Sequence, residues 1–323
     1  MLILTEKQCK TFLDLAVKRT ANYLRENQLR GVSLGISGGV DSAVVSLIGL
    51  KAIENLKKSN YEANYEYFFL DCDSDDFDYQ RAQALAKKFD FRLKYLDLTT
   101  WYQCSPLLKM IPKHHPRRKI AKGNIKARLR MIALYHSTQL NNHIYLDTDD
   151  LSEELMGFWT KHGDEGDLKI IQNLTKTEVY DLAKFLGVPE IILNSKPSDG
   201  LKVTEKNLAS EQLGLDYIVI EYLLSSFIEQ GFDCNGSMEQ LKEKRFLFLV
   251  QKLAKQIKQK EEKILQVLSQ ALKTAFKRKY GDNVANLLPE RSELALAELG
   301  SREFNQLYLQ ALQASTLLSD TAQ

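Results

Sequence analysis

The sequence predicts an α/β protein, a doubly wound parallel sheet with a helical C-terminal region. Two observations carry this. Short apolar runs alternate with helical stretches through residues 30–150, at the spacing of strand–helix–strand units. A glycine-rich turn joins the first apolar run to the helix behind it. After Asp147 no further strand pattern appears, and helical periodicity takes over.

The elements follow in order. Thr5 and Gln8 have the spacing of a capping box, and Phe12, Leu13, Leu15, Ala16 and Leu24 form a helical stripe ending near Asn27. VSLGI (32–36) reads as a buried strand, and a helix over 42–58 follows the glycine turn. Residues 66–70 make a second strand, QRAQALAKKF (80–89) a helix, and RLKYLDL (92–98) an alternating third strand. Residues 101–118, with Pro106, Pro112 and Pro116, read as a long loop of the kind that serves function. A helix over 124–140 and the strand HIYLD (143–147) come next. Thr175 and Glu178 offer a second capping box, and Gly187 closes that helix. Residues 237–279 read as one long helical segment, and 290–313 as a final helix after Pro289. The domain reading is a main unit over 1–280 and a helical C-terminal extension over 281–323.

Composition narrows the class. A formal charge of +2 with 27% charged residues gives no general attraction to nucleic acid. No apolar run approaches the length of a membrane span. The start, MLILTEKQCK, turns charged too soon for a secretory leader. Cys9, Cys72, Cys104 and Cys234 lie far apart without a CxxC pair, which predicts reduced thiols in a cytoplasmic protein.

The turn itself, LGISGGVDSAVV (34–45), carries the chemistry. Between a strand and a helix, glycines turn successive N–H groups toward one point, and the helix N-terminus behind them favours an anion such as phosphate. Ser37 and Ser42 add hydroxyl donors. Asp41 would repel a bare phosphate, so its presence calls for a divalent cation between them. A glycine pair alone would be satisfied by an ordinary tight turn. The order S-G-G-x-D-S, neither G-x-G-x-x-G nor G-x-x-x-x-G-K-[ST], resembles the pyrophosphate loop of N-type ATP pyrophosphatases.

Downstream, GNIKARLRMIALY (123–135), TDDLSEELMGFWTKHGDEGD (148–167), LTKTEVYDLAKFLGVP (174–189), KPSDGL (196–201) and FKR (276–278) occur in the order found in ammonia-dependent NAD synthetases. The sequence is therefore similar to that family over roughly residues 10–280. The resemblance implies a Rossmann-like, adenine nucleotide alpha hydrolase-like sheet. It also implies an activity: ATP adenylates the nicotinate carboxylate of deamido-NAD, and ammonia displaces AMP. Carried over position by position, it implies ATP contacts at Gly35, Ile36, Ser37, Gly38, Gly39, Val40, Asp41, Ser42, Thr148, Lys176 and Ser198, with Asp41 and Lys176 catalytic. Magnesium falls to Asp41 and Glu153, and the acceptor to Arg128, Lys161, Asp167 and Lys277. Taken one at a time, Glu153 could be a first-turn acid and Lys176, Arg128, Lys161 and Lys277 surface charges. A homodimer with the acceptor across its interface is implied, with no nucleic acid and no membrane as partners. Eight Lys or Arg in 113–130 against eight acids in 147–167 agree with a bis-phosphate acceptor beside a metal-bound nucleotide.

The pattern breaks at several places. Asp147 stands where the family has glycine, and its carboxylate either alters metal affinity or points outward. GDEGDL (163–168) is one residue short, so the acidic acceptor contact falls on Asp164 or Asp167, with Asp167 preferred. Phe276 replaces a histidine, and LDCDSDD lacks a proline. These leave nicotinic acid mononucleotide open as an alternative acceptor. A tRNA-modifying enzyme using 113–130 as its RNA patch, or a degenerate nucleotide binder, would share the same loop. The apolar pattern of 290–313 is expected to pack on the main body or on a partner subunit. The cysteines lack catalytic surroundings, so ammonium rather than glutamine is the expected nitrogen source.

Overall fold

The computed structural model describes residues 2–163, 165–198, 200–279, 285–286 and 291–319. The chain runs α1 (Glu6–Glu26), β1 (Gly31–Gly35), α2 (Val40–Lys58), β2 (Asn64–Asp71), α3 (Asp76–Lys88) and β3 (Leu93–Asp97). Next come α4 (Thr99–Cys104), α5 (Pro106–Lys109), α6 (Arg118–Asn141), β4 (His143–Asp147), α7 (Leu151–Met156) and β5 (Leu168–Lys169). Then follow α8 (Lys176–Leu186), α9 (Glu190–Leu193), α10 (Ala209–Leu213), α11 (Tyr217–Glu229), α12 (Lys244–Gln256), α13 (Glu261–Lys273), α14 (Ala275–Lys279), β6 (Ala285–Asn286) and α15 (Arg302–Ser319).

The strands form one sheet in the order β3-β2-β1-β4-β5-β6, and the pairings are parallel. Gly31 of β1 faces Asn64 on one side and His143 on the other. Period-two alternation assigns the two faces. Tyr67 and Phe69 of β2, with Ile144 and Leu146 of β4, join α1, α2, α3 and α8 in the main core. Leu70 and Tyr145 point the other way and pack with Tyr102 of α4 and Leu134 of α6. Helices thus cover both faces, the doubly wound arrangement that the alternating pattern predicts. A second core joins α11, α12, α13 and α15 around Phe227, Phe246, Leu268 and Phe304.

Local signals hold at the well-marked ends. The Thr5–Gln8 and Thr175–Glu178 capping boxes are both formed, and Gly187 adopts φ 74° to end α8. Four expectations need correction. The 101–118 loop is partly helical, because Ser105 caps Leu107 N–H and Pro106 sits in the first turn of α5. Strands do occur after Asp147, since β5 and β6 are two residues each and too short to show a period. The 237–279 segment is not one helix but a 3₁₀ turn followed by α12, α13 and α14. Lys258, at φ 53°, breaks it between α12 and α13. The last helix begins at Arg302, not 290; residues 292–294 form a separate 3₁₀ turn, and residue 290 lies outside the described residues. Sequence reading also passed over α11, whose YIVIEYLL is apolar except for the buried Glu221. A helix buried all round loses the polar face that periodicity detects.

The four cysteines are free, and Cys9, Cys72 and Cys234 are buried. Among the described residues no helix is long and apolar enough to cross a membrane.

Candidate active site

The chain leaves β1 toward β2 on one side, while β4 pairs on the other, so the loops after β1 and β4 diverge. The crevice between them is where open α/β sheets bind ligands. A cleft open to solvent lies there, lined from the β1 loop, the start of α2, the β4 end, α7 and α8. On one wall, Ser37 N–H donates to Ser42 Oγ (3.2 Å) and Gly39 N–H to Ser37 Oγ (3.2 Å), which winds the glycine loop onto the start of α2. Gly38 has φ +84°, and a Cβ there would lie 2.3 Å from the Asp78 carbonyl oxygen. Only glycine fits. Arg81, also on the cleft wall, fastens the loop by donating to Gly38 O at 3.0 Å while paired with Asp78.

On the opposite wall two helix N-termini meet. Asp150 caps α7, accepting Glu153 N–H at 2.9 Å, while Glu153 returns a carboxylate oxygen to Asp150 N–H. Thr175 caps α8 in the same reciprocal way with Glu178. Lys176, the first residue of α8, has its own N–H on Ser152 Oγ at 3.0 Å. Its ammonium reaches Asp41 Oδ2 (2.7 Å), Asp150 Oδ2 (2.9 Å) and Glu153 Oε1 (2.9 Å), so it ties the glycine-loop helix to α7. The Tyr217 ring lies beneath it at 5.3 Å.

The electrostatics follow from burial. The Lys176 side chain is 3% exposed and that of Asp150 0%. Burial alone would push the ammonium down, yet Asp150, Asp41 and Glu153 hold it well above the ordinary lysine value. Burial raises Asp150 to about 6 and Glu153 well above the carboxylate range, with Asp41 adding like-charge repulsion and Lys176 opposing both. Behind them Glu221, pushed up to about 7 by burial, accepts Ser152 Oγ–H (2.6 Å) and Thr177 N–H (3.2 Å).

Three carboxylates face one ammonium, and Asp41 Oδ1 is buried without a hydrogen-bond partner. Hard oxygen donors, excess negative charge and an unused lone pair fit a divalent cation. Among the described residues no group of three or more His, Cys, Asp or Glu forms a ready-made cage. Magnesium suits that gap, because it takes one or two carboxylates and completes its shell with phosphate and water.

Of the residues singled out from sequence, Gly35, Ile36, Ser37, Gly39, Val40, Asp41, Ser42, Thr148, Glu153, Lys176 and Ser198 line this cleft. Gly38 makes the turn without lining it. Arg128, Lys161, Asp167 and Lys277 lie outside the cleft lining. Arg128 is exposed and donates to Lys161 O (3.2 Å). Lys277 sits over the Trp159 ring and donates to the Gly157 and Trp159 carbonyls. Asp167 accepts the Tyr135 hydroxyl at 2.7 Å, and Asp164 lies outside the described residues. Phe276 is 58% exposed.

Asp147 does not point outward. It is fully buried and receives Gly166 N–H (2.6 Å) and Asp149 N–H (2.7 Å), which holds Gly166 against the end of β4. The 113–130 basic stretch is also partly spent internally. Lys126 is buried against Asp73, and Arg130 donates to Leu70 O and Ser74 Oγ at the cleft edge. Sequence reasoning missed Asp150, Arg81, Arg130 and Tyr217. For Asp150 a signal existed, since D-L-S-E is a capping-box spacing. The other three carry none, because only the fold turns those faces inward.

Comparison with known proteins agrees with this site. The family model of NAD synthase matches residues 13–281. The NH(3)-dependent NAD(+) synthetase of Syntrophomonas wolfei is 39% identical over 206 residues, covering 63% of this chain and 79% of its own length. Among solved structures, the NMN synthetase of Francisella tularensis superposes with a TM-score of 0.57 at 28% identity, over 65% of this chain and 82% of that one. The glutamine-dependent NAD(+) synthetase of Cytophaga hutchinsonii shares the fold over 94% of this chain and 56% of its own, with a TM-score of 0.66 at 14% identity. A parallel sheet with a glycine loop and an acidic–lysine wall across one crevice, matched over most of its length, places this chain in the NAD synthase family.

Proposed function

We propose that this chain amidates deamido-NAD with ammonia at the expense of ATP, giving NAD, AMP and pyrophosphate. The observation that carries the reading is Lys176, held within 2.9 Å of Asp41, Asp150 and Glu153 directly across from the glycine loop. The phosphates of ATP would lie between the loop N–H groups, the Ser37 and Ser42 hydroxyls and that ammonium. Asp41 and Glu153 would hold magnesium, which when bound offsets the charge of the phosphates. A nicotinate carboxylate oxygen then bonds to the α-phosphorus, and the α–β bridging bond breaks toward pyrophosphate. Lys176 faces the charge that develops there, where a fixed cation lowers the barrier. Ammonia next attacks the acyl carbon, its nitrogen gives up one proton to solvent, and the bond to AMP breaks with its electrons leaving on the phosphate.

Arg128, Lys161, Asp167 and Lys277, the residues we propose for the acceptor, lie outside the cleft lining, so this reading has the acceptor extend beyond the cleft toward a subunit interface. Exposed Trp101, Met110 and Leu140 support a homodimer. We place the reaction in the cytoplasm, consistent with free thiols.

A second reading has one specific support: the structural likeness to an NMN synthetase. In it the acceptor is nicotinic acid mononucleotide. Isotope exchange separates the two. Because the carboxylate is the nucleophile that expels pyrophosphate, labelled pyrophosphate should enter ATP without ammonia when deamido-NAD is present. Exchange supported only by the mononucleotide would select the second reading. Exchange that requires RNA and ignores both nicotinate nucleotides would overturn either.

A further inference from the structure

We propose that residues 291–312 form a brace that sets the position of Lys176, with Tyr308 and Arg291 as positioning residues; this rests on the function proposed above. The family match ends at residue 281, so it assigns nothing to this segment.

Lys176 is the first residue of α8, so its placement depends on the cap in front of it. That cap has two members, and the C-terminal segment holds both. The Tyr308 hydroxyl is hydrogen-bonded to Thr175 Oγ1, the N-cap oxygen. Arg291 grips Glu178, the returning carboxylate of the capping box, through Nη1–Oε2 (2.9 Å) and Nη2–Oε1 (2.7 Å). It also donates to Asn173 O (2.8 Å), two residues before the cap. Tyr308 is 0% exposed, and Thr175, Glu178 and Arg291 are buried with it.

The brace is itself braced. Phe304 and Tyr308 stack at 4.1 Å, Arg291 lies over the Phe304 ring, and Arg291 donates twice to Ala297 O. Leu294 and Leu296 anchor the segment in the sheet-side core, while Phe304, Tyr308 and Leu312 anchor it in the helical one. The two cores therefore meet at the cap of α8. Three carboxylates drawing on one ammonium would pull a loosely capped Lys176 along with them; a doubly held cap keeps it facing the phosphates. A bidentate guanidinium and a buried hydroxyl suit this role, because both are directional.

The test uses the full chain. Tyr308→Phe keeps the aromatic stack and removes only the hydroxyl. We expect kcat to fall about tenfold with KM for ATP and acceptor within about twofold, since a displaced group acts mainly in the transition state. Thr175→Val removes this bond together with the cap bond to Glu178 N–H, so its loss should be at least as large, while Thr175→Ser, which keeps the hydroxyl, should keep near wild-type kcat. The double variant should lose no more than Thr175→Val alone, because the Tyr308 bond is already gone there. Hydrogen exchange of the amides of residues 176–179 should rise selectively in Tyr308→Phe, and that readout needs no turnover. Unchanged kcat with unchanged exchange, losses that add, or a rise in KM alone would overturn the brace. Wild-type chain inactive toward both nicotinate nucleotides would remove the function while the exchange measurement still decides the brace. Arg291→Met leaves Glu178 buried and unpaired; where it fails to fold, the Tyr308 and Thr175 variants decide.

Discussion

At the residue scale, the site is a balance between one ammonium and three carboxylates in a buried wall. Asp41 has a second oxygen free of hydrogen bonds, so replacing it by asparagine removes charge without changing shape. Asp41→Asn and Glu153→Gln are each expected to abolish most turnover, a loss of several kcal/mol of transition-state stabilisation, with the fold intact by circular dichroism. Full activity of either at limiting magnesium would remove the metal assignment. Glu221 gives a pH test. Its pKa is raised to about 7 by burial, so the folded chain holds that proton after the unfolded chain has lost it. The stabilising proton is fully in place below about 4.5, and its contribution is lost as pH rises through about 7. Glutamine keeps an acceptor for Ser152 and carries no charge. Glu221→Gln should therefore be more stable to unfolding than wild type at pH 8, by about 1–3 kcal/mol, with the gap closing by pH 5. A gap that widened toward acid would contradict the assignment.

At the element scale, the glycine loop and α8 are the parts that geometry constrains most. Gly38 sits in the left-handed region against the Asp78 carbonyl, so a methyl group cannot be absorbed by a side-chain shift. Gly38→Ala is expected to weaken pyrophosphate exchange by about 100-fold while the melting temperature drops only a few degrees. Normal exchange in that variant would show that the loop does not hold the phosphates. The turn after α7 is clamped differently. Lys277 and Arg278 donate to backbone carbonyls of Glu154, Leu155, Gly157 and Trp159, where the exposed carbonyls of a helix end favour cations. The basic FKR stretch therefore fixes the loop that carries Trp159 and Lys161. The Lys277 ammonium is drawn to main-chain oxygens in this form.

At the scale of the whole molecule, the C-terminal segment ties the sheet-side core to the helical core. Truncation after Gly281 removes buried Phe304 and Tyr308 and strips Glu178 of its guanidinium. Breaking a buried pair of this kind costs about 3–5 kcal/mol, so the shortened chain should melt many degrees lower. An unchanged melting temperature would make the segment dispensable. The nitrogen source is tested on the same scale. Cys9, Cys72 and Cys234 are buried and are not set up as nucleophiles; burial raises the Cys9 and Cys234 thiols to about 11 and also pushes Cys72 up. Ammonium should support turnover by the purified chain, and glutamine alone should not. Glutamine-driven amidation without ammonium would refute this.

The sequence by itself determined what is local. The capping boxes at Thr5 and Thr175, the glycine loop and the first four strands follow from periods and cap residues a few positions apart, and a few positions are all those signals need. Motif order supplied many of the residues around the cleft, among them Ser37, Asp41, Thr148, Glu153, Lys176 and Ser198. Tertiary structure alone decided the rest. It buried Asp147 behind Gly166, brought Asp150 onto Lys176, and turned Arg81 and Arg130 toward the crevice. It also paired β5 and β6, whose two-residue lengths carry no pattern, and broke the 237–279 stretch at Lys258. It joined Tyr308 to Thr175 across 133 positions. A contact of that span leaves no trace in local propensity, because its free energy comes from burial and directional bonding between segments that meet only once the fold exists.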